Sequence, residues 1–211
     1  MNVLGLAKAL PVPRFLLGFM LVGAAGCGPS GARSLPPADC YVYVVDWSGS
    51  TAEARRTLLG AVLAELEGVP EGTRVVAYRM GSDTQEIYDG TVGDEGVDGV
   101  ASAFRRAALA SDPVPGTDFP KMAAALLKFS RSFPARGYAV RVLTDGGDDR
   151  AWDPASSHAY RRDGAALCAD PKLAEIAFVG VAPGYREGIR RAFGKAGAKL
   201  SILVRGQSLS E

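Results

Sequence analysis

The sequence predicts an α/β domain: a doubly wound, mostly parallel sheet with helices on both faces. Three observations lead there. From residue 40 onward, runs of apolar and β-branched residues alternate with segments of helical periodicity, an order that implies right-handed crossovers between parallel strands. One of those runs, CYVYVVD at 40–46, is nearly unbroken, as a strand buried on both faces is, and both it and the run YAVRVLTD at 138–145 end in an acid. At 211 residues and 47% hydrophobic, the chain is long enough for one domain with a sizeable core.

The elements follow in order. After the first strand, Leu58, Leu59, Val62, Leu63 and Leu66 recur at three and four, and Gly68 with Pro70 ends that helix. TRVVAYRM at 73–80 is a second strand. TQEIYDGTV at 84–92 alternates more and lies between Gly81 and Gly93, which suits a short antiparallel neighbour. A helix is expected around 97–110, and an alanine-rich one from about 119 to 132, closed by Pro134. The strand at 138–145 comes next. Residues 146–172 are polar and show no periodicity that assigns them a structure. AEIAFVGVA is a strand, YREGIRRAFGKAG a helix and KLSILV the last strand.

The first 27 residues stand apart. Lys8 and Arg14 are their only charges, and FLLGFMLVGAAG follows, too short to span a bilayer but ordered like a secretory signal. Because the small residues end on Cys27, the stretch resembles a bacterial lipoprotein signal, in which the cysteine is lipidated and becomes the mature N-terminus. Residues 1–27 are therefore read as a lipoprotein-type signal peptide, 28–38 (GPSGARSLPPA) as a flexible tether, and 39–211 as the domain. The resemblance implies an exported protein, held at a membrane of the bacterial cell envelope by its N-terminal lipid. Loss of Lys8 and Arg14 takes the formal charge from +1 to −1, so a polybasic membrane contact is not expected, nor is nucleic acid. Cys40 and Cys168 remain. In an oxidising compartment they are expected to form a disulfide, although two buried free thiols would look the same in sequence.

In doubly wound sheets ligands bind beyond the carboxyl ends of the strands, where the strand order reverses. Three segments converge on that edge: DWSGS after the first strand, PGTD before the alanine-rich helix, and TDGGDD after the strand at 138–145. The trio resembles the von Willebrand factor A (vWA) domain and its metal-ion-dependent adhesion site (MIDAS), over about residues 40–205. The resemblance implies a metal site made of Asp46, Ser48 and Ser50 in the first loop, Thr117 in the second and Asp145 in the third. Trp47 is bulky for its place in the first motif, and residues 146–172 offer no clear helix where the family usually has one.

The donor set supports the same chemistry independently. Hard divalent cations take oxygen ligands and keep some water, and two carboxylates with three hydroxyls meet that preference without nitrogen or sulfur. Mg²⁺ is the first expectation, with Mn²⁺ or Ca²⁺ as alternatives. The hydroxyls are neutral, so an open coordination position favours an incoming carboxylate. The resemblance then implies a binding module rather than an enzyme, gripping a Glu or Asp of a partner protein through the ion.

Competing readings are plainer. Ser48 or Ser50 serves equally well as a cap for the helix expected near Ala52. Asp148 and Asp149 read as solvated loop carboxylates outside the shell. His158, the only histidine, reads as a surface residue and excludes a multi-histidine zinc site. Arg105, Arg106, Arg190 and Arg191 read as solvated helix faces. Trp47 and Trp152 are either rim anchors or core residues. The alternative function is a Mg²⁺-dependent phosphotransfer enzyme with Asp46 as nucleophile. Enzymes of that kind resembling the haloacid dehalogenase family want a second Asp where this chain has Ser48, and a Lys after a later strand that is missing here. A vestigial domain that binds nothing is the third reading.

If Cys27 carries lipid, Cys27→Ser should release the protein from membranes or block its processing. Detergent partitioning that does not change on mutation would refute lipidation.

Overall fold

The computed structural model describes residues 35–51, 55–93, 96–110, 116–134, 137–147 and 154–204. The elements run β1 (Cys40–Asp46), α1 (Arg55–Leu66), β2 (Arg74–Met80), β3 (Thr84–Thr91), α2 (Gly96–Ala110), α3 (Phe119–Ser132), β4 (Tyr138–Leu143), α4 (Pro154–Cys168), β5 (Leu173–Val181), α5 (Arg186–Phe193) and β6 (Leu200–Val204). Short 3-10 turns cover Gly49–Thr51, Pro183–Tyr185 and Gly194–Lys199. Among the described residues no helix is long and apolar enough to cross a membrane.

The six strands form one sheet in the order β3-β2-β1-β4-β5-β6. β3 is antiparallel to β2 and every other pairing is parallel. From β1 the chain builds outward to β2 and β3, then crosses back to β4 and builds the other way. The order therefore reverses between β1 and β4, where Val45 pairs with Leu143 and Asp46 comes level with Thr144. This is the switch point at which such sheets hold ligands.

Every residue of β1 and β4 is buried, because alternate side chains feed two cores. Cys40, Val42 and Val44 join the core under α3, α4 and α5, with Met122, Leu126, Phe178 and Phe193. Tyr41, Tyr43 and Val45 join the core under α1 and α2, with Val62, Leu66 and Phe104. Leu35 and Ala38 pack on this second core as well, and Tyr41 Oη donates to the Pro36 carbonyl (2.9 Å). The end of the segment read as a tether is thus seated on the domain.

Two expectations are revised. Residues 146–172, unassigned from sequence, contain the helix α4. Few of its large side chains point inward, chiefly Tyr160 and Leu167, so no apolar stripe announces it. Its Gly164 packs closely on α5, where a Cβ would lie 3.0 Å from the Ala192 carbonyl oxygen and 3.2 Å from the Phe193 ring and would press on both. The expected disulfide is not formed: Cys40 and Cys168 are both free and buried. The Cys168 thiol donates to the Phe193 carbonyl (3.6 Å), while burial pushes the Cys40 thiol up to about 12, which keeps it protonated and unreactive.

The chain also buries an ion cluster that the sequence reading missed. Arg141, in the middle of β4, reaches Glu175 of β5 (2.9 Å) and Glu65 of α1 (3.4 Å). Tyr43 Oη also donates to Glu65 (3.4 Å), and Ser201 Oγ to Glu175 (2.8 Å). A lone arginine in an otherwise apolar strand was the available signal, since a charge buried there needs carboxylate partners.

Helix α3 bears directly on the site, because Thr117 stands just before it. Its first turn is capped by Asp118, which accepts from the Lys121 backbone N–H (2.9 Å), and Phe119, Met122, Ala123, Leu126 and Phe129 face the core. Its last carbonyls, of Ser130 and Phe133, accept from Lys172 Nζ at 2.5 and 2.8 Å. Asp170 accepts there from Ser130 Oγ, Tyr138 Oη and the Lys172 backbone N–H. Burial alone would raise the Asp170 carboxyl, but the hydrogen bonds from Ser130, Lys172 and Tyr138 outweigh it and hold the group below its usual value.

A depressed carboxyl contributes stability above the unfolded carboxylate range and loses it as pH falls through the lower, folded value. Asp170→Ala should therefore cost about 2 kcal/mol near neutrality, the scale of hydrogen bonds to a charged group. The deficit should shrink in urea unfolding repeated at about pH 3, below the unfolded carboxylate value of ~3.9. A deficit that is the same at both pH values would show that the carboxylate charge is not what holds this end of α3.

Candidate metal centre

The first loop is built around Asp46, which ends β1 with no exposed surface. Its Oδ1 accepts from the Ser48 backbone N–H (2.9 Å), bending the chain out of the strand into the 3-10 turn. Thr51, also buried, turns its hydroxyl back onto the carbonyls of Asp46 (2.9 Å) and Ser48 (3.0 Å) and locks that turn. The Oγ atoms of Ser48 and Ser50 are left 3.0 Å apart, Ser48 buried and Ser50 exposed. Residues 52–54 lie outside the described residues, so the capping role considered for Ser48 and Ser50 does too.

The second loop arrives through Gly116, whose φ of +73° is one that side-chain-bearing residues rarely adopt. Thr117 is buried and donates to Asp46 Oδ1 (3.4 Å). Asp118 is turned away to cap α3.

The third loop follows β4. Thr144 donates to Asp46 Oδ2 (2.7 Å) while its own Oγ1 accepts from the Gly146 N–H (3.0 Å). Asp145 is partly exposed, and its Oδ1 accepts from the Gly147 N–H (2.9 Å). The Asp145 carbonyl accepts from Ala182 N–H just beyond β5 (2.7 Å), which ties this loop to the next strand.

The structure thus brings all five sequence-predicted residues to one edge of the sheet. Asp46, Ser48 and Thr117 share direct hydrogen bonds, Ser50 joins through Ser48, and Asp145 acts on Asp46 through its charge. Thr144, part of the third motif but not among the expected ligands, makes the shortest hydrogen bond to Asp46 (2.7 Å). Trp47 is fully buried in the core under α1 and α2, so the rim reading for it is withdrawn: the turn at Ser48 sends Trp47 to the face opposite Asp46. His158 is exposed on α4, as expected. Asp148, Asp149 and Trp152 lie outside the described residues.

Burial raises the Asp46 carboxyl above its usual value. Hydrogen bonds from Ser48 and Thr144 pull it down, and the negative Asp145 raises it again. None of these influences is a cation. A buried acid with a second acid beside it and only neutral donors around it lacks the charge that would balance it, and a divalent cation fits that lack. The neighbouring oxygens are all hard donors, as such an ion requires. Among the described residues no group of three or more His, Cys, Asp or Glu is placed to hold a metal, so any ion here relies on hydroxyl and water oxygens as well as carboxylates.

No protein-family model matches the sequence, and no curated protein sequence matches it significantly. Solved structures do. The chain superposes on a von Willebrand factor type A protein from Catenulispora acidiphila with a TM-score of 0.60 and 16% identity, covering 80% of this chain and 39% of that one. Manganese-loaded TRAP protein from Plasmodium vivax gives 0.59 and 15%, covering 78% and 68%. Proximal thread matrix protein 1 from the mussel byssus, with a zinc-occupied MIDAS motif, gives 0.56 and 15%, covering 79% and 41%. The chain spans less than half the length of the Catenulispora and mussel chains. At these identities the likeness is one of architecture, and by it the chain has the fold of the von Willebrand factor A domains.

Proposed function

We propose that this chain is a cell-envelope lipoprotein whose switch-point site holds one divalent cation, Mg²⁺ first, and uses it to bind an acidic side chain of a partner protein. The observation that carries the reading is the setting of Asp46: fully buried, held by neutral donors from three loops, next to Asp145 and with no cation among the groups that set its charge. Neighbours in fold whose sites hold manganese or zinc support a divalent ion in this place.

Asp46, Ser48, Ser50, Thr117 and Asp145 would hold the ion, which supplies positive charge and an open position for a carboxylate. The chain's own residues do the rest. Thr144 and the Ser48 N–H fix the Asp46 carboxylate in one orientation. The Gly147 N–H does the same for Asp145. The enzyme alternative is disfavoured because phosphotransfer of that kind wants a second Asp where this chain has Ser48, whose Oγ lies against Ser50 instead.

Asp46→Asn should leave a folded protein, since it removes a charge that burial opposes, and should abolish metal binding. The expected result is a melting temperature within about 4 °C of wild type in chelator, the shift of a change under 1 kcal/mol, with no calorimetric heat on adding Mg²⁺ or Mn²⁺. Undiminished metal heat in this variant would remove Asp46 from the site.

In capture from envelope extract, the principal partner should be lost in excess chelator and on Asp145→Ala. Breaking a buried charge pair costs about 2–5 kcal/mol. Thr117→Ala, which removes a neutral ligand, should weaken capture less, and His158→Ala should leave it unchanged. A partner that stays bound in excess chelator would reject the metal bridge, and turnover of a phosphorylated substrate abolished by Asp46→Asn would revive the enzyme.

A further inference from the structure

The rim of the site carries one more side chain with chemistry to offer. Beyond β5 the chain enters the 3-10 turn Pro183–Tyr185, closed by the Tyr185 N–H on the Ala182 carbonyl (3.0 Å) and joined to the third loop by the Ala182 N–H on the Asp145 carbonyl (2.7 Å). Among the described residues Tyr185 is the one large apolar side chain that stands exposed, at 39%. It lies along Gly146 and Gly147. A Cβ on Gly146 would come within 2.9 Å of Tyr185 Cβ and 3.1 Å of Val181 Cγ1, so the close approach demands glycine there, as does its φ of +87°. A Cβ on Gly147 would lie 3.7 Å from the Tyr185 hydroxyl oxygen and 3.3 Å from Asp145 Oδ1. The phenol and the ligand carboxylate therefore border the same small space, and glycine at 147 leaves it open.

A carboxylate that gives one oxygen to a cation has a second oxygen still to satisfy, and leaving a buried acceptor without a donor is unfavourable. The hydroxyls of Ser48 and Ser50 lie against one another and Thr117 donates to Asp46, and all three would serve the ion when it is bound. Tyr185 carries a phenolic O–H that can donate, on a ring that can cover the aliphatic stem of an incoming side chain. Tyrosine is enriched at interface hot spots for this pairing of apolar body and polar tip.

We propose that Tyr185 reads the partner's carboxylate: its hydroxyl donates to the oxygen that the cation does not take, and its ring packs on the carbon chain carrying that group. The proposal rests on the metal-bridge reading above. It names the ligand as a carboxylate on a short aliphatic stem and gives the site a determinant outside the five metal-holding residues.

The test loads the full chain with Mn²⁺ and titrates N-acetylglutamate methylamide, following displacement of metal-bound water by water-proton relaxation. In wild type, Tyr185→Phe and Tyr185→Ala, Mn²⁺ affinity should agree within about twofold, because Tyr185 is not a ligand. Carboxylate affinity should fall roughly tenfold in Tyr185→Phe, the effect of one charge-assisted hydrogen bond, and further in Tyr185→Ala as the ring is lost. Wild-type carboxylate affinity in Tyr185→Phe would overturn the hydrogen bond and leave the metal bridge standing. Loss of Mn²⁺ affinity in either variant would overturn the proposal by making Tyr185 a support for the Asp145 loop. Mn²⁺ binding by wild type with no carboxylate effect would overturn the metal bridge and this inference together.

Discussion

The burial of one carboxylate organises the switch point. Asp46 ends the central strand with no exposed surface, and a charge in that place is tolerated only where donors converge on it. They come from three separated parts of the chain: the Ser48 N–H in its own loop, Thr117 ahead of α3 and Thr144 at the end of β4. Placing β4 directly beside β1 is what brings Thr144 within 2.7 Å. Placing the first turn of α3 over the same edge is what brings Thr117 there. A sheet with another strand between β1 and β4 would deprive Asp46 of Thr144, its nearest donor, and leave more of its desolvation cost uncompensated.

A second buried acid in the same chain shows what is unusual about this one. Glu65, under α1, is also raised by burial, and the Arg141 guanidinium beside it lowers it again. Arg141 also pairs with Glu175 (2.9 Å). The fold can thus bring an internal cation to a buried carboxylate where only stability is at issue. At the switch point it brings neutral hydroxyls instead and sets Asp145, a further negative charge, beside Asp46. Removing a partner from a buried ion pair is strongly destabilising, and an arrangement that begins without an internal cation is what the proposed ion would complete.

How much of this could be read from the sequence follows from how local each signal is. β1 was legible because a strand buried on both faces leaves a continuous apolar run, β4 because its β-branched run ends in an acid, and the five candidate ligands because each sits at a fixed offset after a strand or before a helix. Helix α4 was not legible: its hold on the domain comes from a few contacts of Tyr160, Leu167 and Gly164 with residues distant in sequence, which leave no periodic stripe. The same holds for Arg141, whose partners lie 76 residues before it and 34 after it (141 − 65 and 175 − 141). The disulfide expectation failed because an even cysteine count says nothing about where thiols point, and Cys168 points to Phe193. Tyr185 could not have been singled out, since its place beside Asp145 depends on the turn after β5 folding back on the third loop.

The three loops differ in how they are held, and the difference divides their work. The first is cross-braced by Thr51 on two carbonyls. The second is continuous with α3, whose near end is capped by Asp118 and whose far end is plugged by Lys172. Both are braced by hydrogen bonds within the domain, which fix where Asp46, Ser48 and Thr117 stand. The third is held at Thr144 and Asp145, but beyond them it presents Gly146 and Gly147, backbone with no side chain to screen it, and the ring beside that backbone belongs to Tyr185 on a different turn. A ligand reaching Asp145 therefore meets an interior fixed by hydrogen bonds on one side and an open, partly apolar rim on the other. On the proposed reading, the first would hold the ion and the second would choose among carboxylates.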